Sequence, residues 1–175
     1  MQESLEMGGL TYPIEDNLVK VPEALWRTLV ADRGPNNISA PSWYHRACLH
    51  CLIHVTPNGG LSTGVLKEQS GTATTMVTLL KRVQQVVWNR KFLLSKTKKL
   101  FGLAPTNAQE GDSICMLFGY SVPVVLRKME SETGTYYHFI GESYIHGIMD
   151  GEVLEQLSLE QRQHPYLDQV EFEIR

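Results

Sequence analysis

The chain has 175 residues, of which 42% are hydrophobic and 20% are charged, with 16 basic against 19 acidic side chains. This composition is that of a globular domain, and it excludes a disordered chain, a collagen and a coiled coil. No run approaches the roughly 18 apolar residues of a membrane helix, and MQESLEMGGLTYP lacks the basic and apolar regions typical of a signal peptide. An odd number of cysteines fits a reducing compartment. We therefore expect a cytoplasmic protein that does not associate with membranes.

The net charge of -3 conceals an uneven distribution of charge along the chain. Residues 69–109 contain seven basic side chains and no acid, whereas residues 130–175 contain ten acids and two arginines. These segments favour an internally complementary surface. A surface that binds nucleic acid or acidic lipid is the less favoured alternative. Aromatic side chains are too sparse in the basic segment to suggest stacking on single-stranded nucleic acid.

The first half of the chain predicts two helices. Residues 22–33 begin with a proline suited to a first helical turn and place Leu25, Trp26, Leu29 and Val30 on one apolar stripe. A loop over residues 36–42 separates this helix from a second one over residues 43–54. Together they form a predicted N-terminal helical segment, residues 1–60, which a flexible connector rich in Gly, Ser and Thr follows at residues 61–72.

A helix followed by short strands is predicted for residues 73–157. The helix covers residues 74–89 and has a buried face made of Met76, Leu79, Leu80, Val83 and Val87. Residues 91–105 predict a strand, a turn and a second strand. The remaining predicted strands, each bounded by glycine or polar turns, are residues 113–118, 122–129, 136–140 and 142–146.

This order of elements predicts an α+β fold, in which a small antiparallel β-barrel or curled sheet packs with two to four helices. Asp150-Gly151 is expected to lead out of the sheet into a short helix. The tail, residues 158–175, ends in VEFEI, whose alternation of apolar and acidic residues is typical of an edge strand.

Five metal-binding side-chain types lie close together in residues 43–54, namely His45, Cys48, His50, Cys51 and His54. Cys48 and Cys51 have the spacing of a zinc knuckle. On a helix, with about 100° per residue, at most two neighbouring side chains reach one ion, whereas a closed zinc site needs four ligands. Both cysteines fall on the apolar stripe of the helix, so we expect them to be buried, reduced and metal-free. No metal or cofactor ligand is assigned.

The alternative to a binding protein is a small hydrolase-like or metal-dependent enzyme. Such an enzyme would use Cys115 as a nucleophile with His138 or His146, or a metal at Cys48 and Cys51. A set of carboxylates near His146 could also serve acid and base chemistry, and it comprises Glu142, Asp150 and Glu152. Core packing of Cys115, and turn formation and helix capping by the carboxylates, explain these residues more simply. We therefore assign no catalytic residue and expect no enzyme.

Five motifs follow one another in the second half of the chain: Gly102-Leu103-Ala104-Pro105, Gly111-Asp112, Ile114-Cys115-Met116-Leu117, Pro123-Val124-Val125-Leu126-Arg127 and residues 140–152. With EALWRTLVADRG and PSWYHRACLHC nearer the N-terminus, their order resembles the C-terminal half of fungal heterokaryon-incompatibility (HET domain) proteins. The resemblance covers residues 22–56 and 88–157. It departs from the family at Ala104, where glycine is usual, and at residues 98–100, where a glycine-aromatic pair is common.

The resemblance implies a fungal intracellular protein related to non-self recognition. The N-terminal HET domain of that family, which resembles a TIR-type fold, has no counterpart in this sequence, so the resemblance supplies no catalytic residue. We expect a noncatalytic recognition or regulatory module that binds a partner protein, for instance a HET domain on another chain. A truncated gene product with little function of its own is a further alternative, and the sequence leaves the oligomeric state open.

Overall fold

The structure, a computed structural model, describes residues 2–10, 20–53, 72–132, 134–152 and 170–175. The helices in these ranges are α1 (Gln2–Met7), α2 (Glu23–Leu29), α3 (Trp43–Ile53) and α4 (Thr72–Val87), and a short 3-10 turn lies at Pro35–Asn37. The strands are β1 (Arg90–Leu94), β2 (Phe101–Pro105), β3 (Ser113–Cys115), β4 (Val124–Ser131), β5 (Gly134–Glu142) and β6 (Tyr144–Ile145). None of the helices in these ranges is long and apolar enough to cross a membrane.

Most of the stripe predicted for α2 is buried: Leu25, Trp26 and Val30 are enclosed in the core, and Leu29 is partly buried against it. It ends at Leu29, four residues before the predicted end. The reason is local, since Ala31 and Asp32 both adopt a left-handed backbone with φ of 50°. The side chain of Asp32 then returns to pair with Arg27 of the helix.

Helices α3 and α4 pack against each other and against α2. Met76 and Leu79 of α4 are buried in the same core cluster as Trp26, and Phe101 of β2 belongs to it too. The helices and β2 therefore share one hydrophobic core. Leu80, Val83 and Val87 were also expected on the buried face of α4 and are only partly buried, with Leu80 and Val83 packed at the margin of that cluster.

The strands form two antiparallel sheets of three, in the orders β1-β2-β6 and β3-β4-β5. In the first sheet Gly102 lies between Leu93 and Ile145, and in the second Val125 lies beside Ile114. A bulge between Val125 and Leu126 interrupts the pairing of β4 with β5.

The two sheets meet at a corner between β5 and β6. Ser143 occupies this corner, is buried, and donates hydrogen bonds from its backbone N–H and its hydroxyl to the Pro123 carbonyl at 2.8 and 3.0 Å. Along the described residues the strands do not close into one ring. The α+β prediction is thus confirmed in its curled-sheet form rather than as a closed barrel.

Strand boundaries differ from the sequence prediction in several places: β4 lies two residues later than predicted, β5 extends two residues farther at each end, and β6 is shorter at both ends. Strand β3 stops at Cys115 because the chain enters a turn in which the Tyr120 N–H binds the Leu117 carbonyl at 3.1 Å. Near the C-terminus, the predicted edge strand makes one parallel bridge, between Ile174 and Tyr137 of β5. Residues 61–71 of the predicted connector and most of the predicted helix after Gly151 lie outside the described residues, whereas Thr72 already belongs to α4. The domain boundaries stay predictions.

Among the described residues, no ion pair joins the basic segment, residues 69–109, to the acidic segment, residues 130–175. Lys96 forms an ion pair with Glu110, and Arg90 donates to the backbone carbonyl of Glu142 at 2.6 Å. The acids of the C-terminal region likewise pair with nearby or N-terminal arginines and lysines, in the pairs Lys128–Glu130, Arg175–Glu173 and Arg33–Asp150. The predicted charge complementarity does not account for these contacts.

Candidate functional site

A cleft of about 900 Å³ lies between the two sheets and is lined by both β1 and β3. Each of these strands is the outer strand of its sheet, since β1 pairs with β2 and β3 pairs with β4. Within the described ranges, the other edge of each strand has no strand partner. Backbone N–H and C=O groups along such edges can pair with an added strand.

The floor of the cleft is apolar. Leu93 and Leu94 of β1, Ile114 of β3 and Val125 of β4 line it, together with Ile148 beyond β6. Leu94 keeps 38% of its surface exposed, whereas Val125 and Ile148 are buried. The cleft therefore offers a partner exposed apolar surface that is supported from beneath by the core.

Charged side chains lie along the rim. Lys96 and Glu110 form an ion pair across it, and the hydrogen bond from Lys96 lowers the pKa of the Glu110 carboxyl. Lys91 donates to the Ala108 carbonyl at 3.1 Å, and Lys98 is exposed in the turn between β1 and β2. Neither Lys91 nor Lys98 has a carboxylate partner among the described residues, so the rim carries positive charge that its own acids do not neutralise.

One end of the cleft is fixed by a paired carboxylate, Asp112. Arg127 binds both of its oxygens, from Nε at 2.8 Å and from Nη2 at 2.9 Å, and the Gln109 N–H donates to it at 2.8 Å. The hydrogen bonds from Arg127 hold the pKa of Asp112 below its usual range. The Gly111-Asp112 motif thus lies in the loop before β3, and its carboxylate joins this loop to β4.

Cys115, the proposed nucleophile of the enzyme alternative, is half-buried at the cleft, and burial raises the pKa of its thiol. Cys115 of β3 pairs with Val124 of β4. His138 belongs to β5, on the other side of β4, and pairs with Arg127, three residues farther along β4. Strand spacings place the two Cα atoms about 14 Å apart. A thiol and its base must be within hydrogen-bond reach, and the structure does not bring this pair together.

The corner after β6 contains His146 and the carboxylates of the proposed acid/base set. The backbone N–H of His146 binds the Phe101 carbonyl at 3.0 Å. Asp150 forms an ion pair with Arg33, and Glu152 accepts a hydrogen bond from the Met149 N–H at 3.0 Å. Among the described residues, Glu152 rather than Asp150 makes the side-chain contact with the backbone of this turn, and Asp150 has a left-handed backbone with φ of 51°.

Cys48 and Cys51 lie in helix α3 and are buried and unpaired, as predicted. Burial raises the pKa of Cys48 to about 12, with a smaller contribution from Cys51, and raises the pKa of Cys51 to about 11. His45 instead contacts the Val21 carbonyl through Nε2 at 3.2 Å. His54 lies outside the described residues.

The cleft and the Asp112–Arg127 pair were not found by sequence reasoning. Both residues belong to recognised motifs, but their contact depends on the pairing of β3 with β4. Treating the two predicted strands at 113–118 and 122–129 as a hairpin would have placed Arg127 near the turn that contains Asp112.

Comparison with known proteins agrees with the motifs. A stretch of 54 residues is 35% identical to heterokaryon incompatibility protein 6, OR allele, of Neurospora crassa. The match covers 31% of this chain and 8% of that protein, so the chain spans a small part of its relative. No solved structure matches the chain.

The family profile described as the Het-6 beta-barrel domain matches residues 58–167, which include α4, all six strands and nearly all of the lining of the cleft. The resemblance to fungal heterokaryon-incompatibility proteins is thereby confirmed. Because the match extends over more than half of the chain, the chain belongs to the Het-6 beta-barrel domain family.

Proposed function

We propose that the chain is a noncatalytic recognition module of fungal non-self recognition that binds an extended segment of a partner protein in the cleft. Its family supports the link to heterokaryon incompatibility. The observation that carries the binding mode is the pair of strand edges, β1 and β3, on an apolar cleft. An extended peptide can add to such an edge through backbone hydrogen bonds, while pockets for alternate side chains supply specificity.

The charges of the rim indicate the chemistry of that segment. Glu110 and Asp112 are each paired with a basic side chain, whereas Lys91 and Lys98 have no described carboxylate partner. A partner segment with apolar residues flanked by acidic ones would match both the floor and the rim. A HET domain on a separate chain is one protein that could present such a segment.

The noncatalytic part of the proposal is supported by the positions of the candidate catalytic groups. Burial raises the pKa of the Cys115 thiol, and the strand spacing separates the Cα atoms of Cys115 and His138 by about 14 Å. We expect Cys115→Ala and His138→Gln to leave heterokaryon formation between test strains unchanged. Loss of the incompatibility response with both variants, while their melting temperatures stay normal, would favour the enzyme alternative.

Photocrosslinking in the fungal host tests the binding mode. A photoreactive phenylalanine analogue replaces Leu94 in the cleft or, as the control, Val77, which is 45% exposed on α4 and outside the cleft. We expect a discrete crosslinked protein from position 94 and not from position 77. Equal labelling of the same protein from both positions would contradict binding in the cleft.

A pair of adjacent lysines then tests the charge. Lys98 lines the cleft, whereas its exposed neighbour Lys99 does not. We expect Lys98→Glu to reduce crosslinking of the partner at position 94 and Lys99→Glu to preserve it, because only Lys98 lines the cleft. The two substitutions change the net charge equally, so a difference between them reports the position of the charge. An equal effect of both variants would refute recognition of acidic residues at the rim.

A further inference from the structure

A second pocket, of about 440 Å³, lies in the helical half of the molecule, between helix α4 and the 3-10 turn Pro35–Asn37. We call it the turn pocket. Four α4 side chains line it, at positions spaced three and four residues apart, and they are Thr78, Lys81, Arg82 and Gln85. This spacing places them on one face of the helix, beside the apolar stripe that packs into the core.

The opposite wall of the turn pocket is held in place by the backbone. Asn36 and Asn37 both have a left-handed backbone, with φ of 57° and 61°. The loop is closed by a hydrogen bond of 2.7 Å from the Gly34 N–H to the Ile38 carbonyl. The two asparagines are therefore presented to the pocket by a tight loop, and their side-chain amides are hydrogen-bond donors.

The turn pocket is positively charged. Lys81 and Arg82 supply two cations, and none of its described lining residues is acidic. Arg82 donates from Nε to the Val30 carbonyl at 3.3 Å, which orients the guanidinium group. The described contacts leave its two terminal amino groups available to a ligand.

Tyr44 lines the turn pocket with only 1% of its surface exposed. Burial raises the pKa of its phenol, against the opposing influence of the Arg82 charge, so the hydroxyl remains a donor. In the part of the chain that the structure describes, this hydroxyl has no hydrogen-bond partner. Because this hydroxyl is a hydrogen-bond donor on a residue that lines the pocket, a ligand atom in the pocket can accept a hydrogen bond from it.

We propose that the turn pocket binds a small soluble phosphate compound. Two cations, two side-chain amides and a phenolic O–H converge there, and charge-assisted hydrogen bonds to phosphate oxygens are among the strongest that such groups form. The volume lies within the range of small-molecule pockets, about 300–1,000 Å³. It exceeds the size of a single phosphate ion, so the ligand carries an organic group or a second phosphate.

Two neighbouring glutamines on α4 provide the test. Gln85 lines the turn pocket and Gln84 does not, and both are exposed. Binding of sodium pyrophosphate is measured by calorimetry at constant ionic strength. We expect Gln85→Glu to weaken binding at least about tenfold, because it places a carboxylate among the phosphate donors, and Gln84→Glu to weaken it less than about twofold.

Tyr44→Phe removes only the hydroxyl and is expected to weaken pyrophosphate binding severalfold without lowering the melting temperature of the free protein. Absence of binding to the wild type, or equal weakening by the two glutamate variants, would overturn the proposal. Vesicles containing phosphatidic acid distinguish the source of the phosphate. The assignment of a soluble ligand would be overturned by two results together: the wild-type protein cosediments with these vesicles and Gln85→Glu does not, while the wild type fails to bind pyrophosphate.

Discussion

Replacement of Gly102 by alanine tests the closeness of strands β2 and β6. Gly102 is buried in β2, paired with Ile145 of β6, and has no positive φ that would itself require glycine. A β-carbon at this position would overlap the Tyr144 carbonyl oxygen and would lie 2.8 Å from Ile145 Cδ1 and 3.0 Å from Ile145 Cα. Two of these three atoms belong to the backbone of β6, so rotation of a side chain cannot relieve the overlap.

The expected cost follows from this geometry. Overpacking of a buried site costs about 1–3 kcal/mol, and this site lies at the upper end because the strands themselves must separate. Separation also weakens the short β2–β6 ladder, at about 0.5–1.5 kcal/mol for each hydrogen bond lost. We expect Gly102→Ala to reduce the free energy of unfolding by about 3–5 kcal/mol, a large part of the stability of a domain of this size.

Urea denaturation followed by tryptophan fluorescence measures this loss, since Trp26 is buried in the core that Phe101 of β2 joins. Gly119→Ala is the control, because Gly119 has φ of +85° and no atom lies within 4 Å of the point that a β-carbon would occupy there. We expect Gly119→Ala to lower the free energy of unfolding by only about 1–2 kcal/mol, the cost of placing a residue other than glycine in a left-handed backbone. If Gly102→Ala lowers the free energy of unfolding by no more than Gly119→Ala does, the close approach of β2 to β6 is refuted.

Three further predictions concern the core and the paired carboxylate. Leu79→Ala should reduce the free energy of unfolding by about 2–5 kcal/mol and Leu80→Ala by clearly less, because only Leu79 is fully buried; equal losses in urea denaturation would contradict the packing of α4. Burial raises the pKa of the Cys48 thiol to about 12 and that of the Cys51 thiol to about 11. Both should resist iodoacetamide at about pH 8 in the native protein and react in urea, as followed by mass spectrometry. Rapid labelling of the native protein would refute their burial. The lowered pKa of Asp112 stabilises the fold above the ordinary carboxyl pKa of about 3.9, and this contribution disappears as the pH falls through the native value. Asp112→Asn should therefore be less stable than the wild type at neutral pH and equally stable in strong acid, and a difference that does not change with pH would exclude the ion pair as its cause.

The sequence alone determined the elements whose periodicity is local. The spacing of Leu25, Trp26 and Val30 predicted α2, and the apolar stripe of residues 43–54 predicted both α3 and the burial of Cys48 and Cys51. Glycine and polar turns separated the strands, and the order of five motifs indicated the family. These features depend on residues within a few positions of one another, which is why a single sequence shows them.

Only the tertiary structure decided which strands pair and what lies between them. The pairing of β6 with β2 rather than with its neighbour β5, and the cleft between β1 and β3, join segments that are not neighbours in the chain. The bidentate contact of Arg127 with Asp112 depends on the pairing of β3 with β4. The same holds for the turn pocket, where a loop with two left-handed asparagines meets a helix face more than 40 residues later. Local preferences specify a strand or a turn, but the energy of its long-range neighbours selects the pairing, and a binding site exists only once that selection is made.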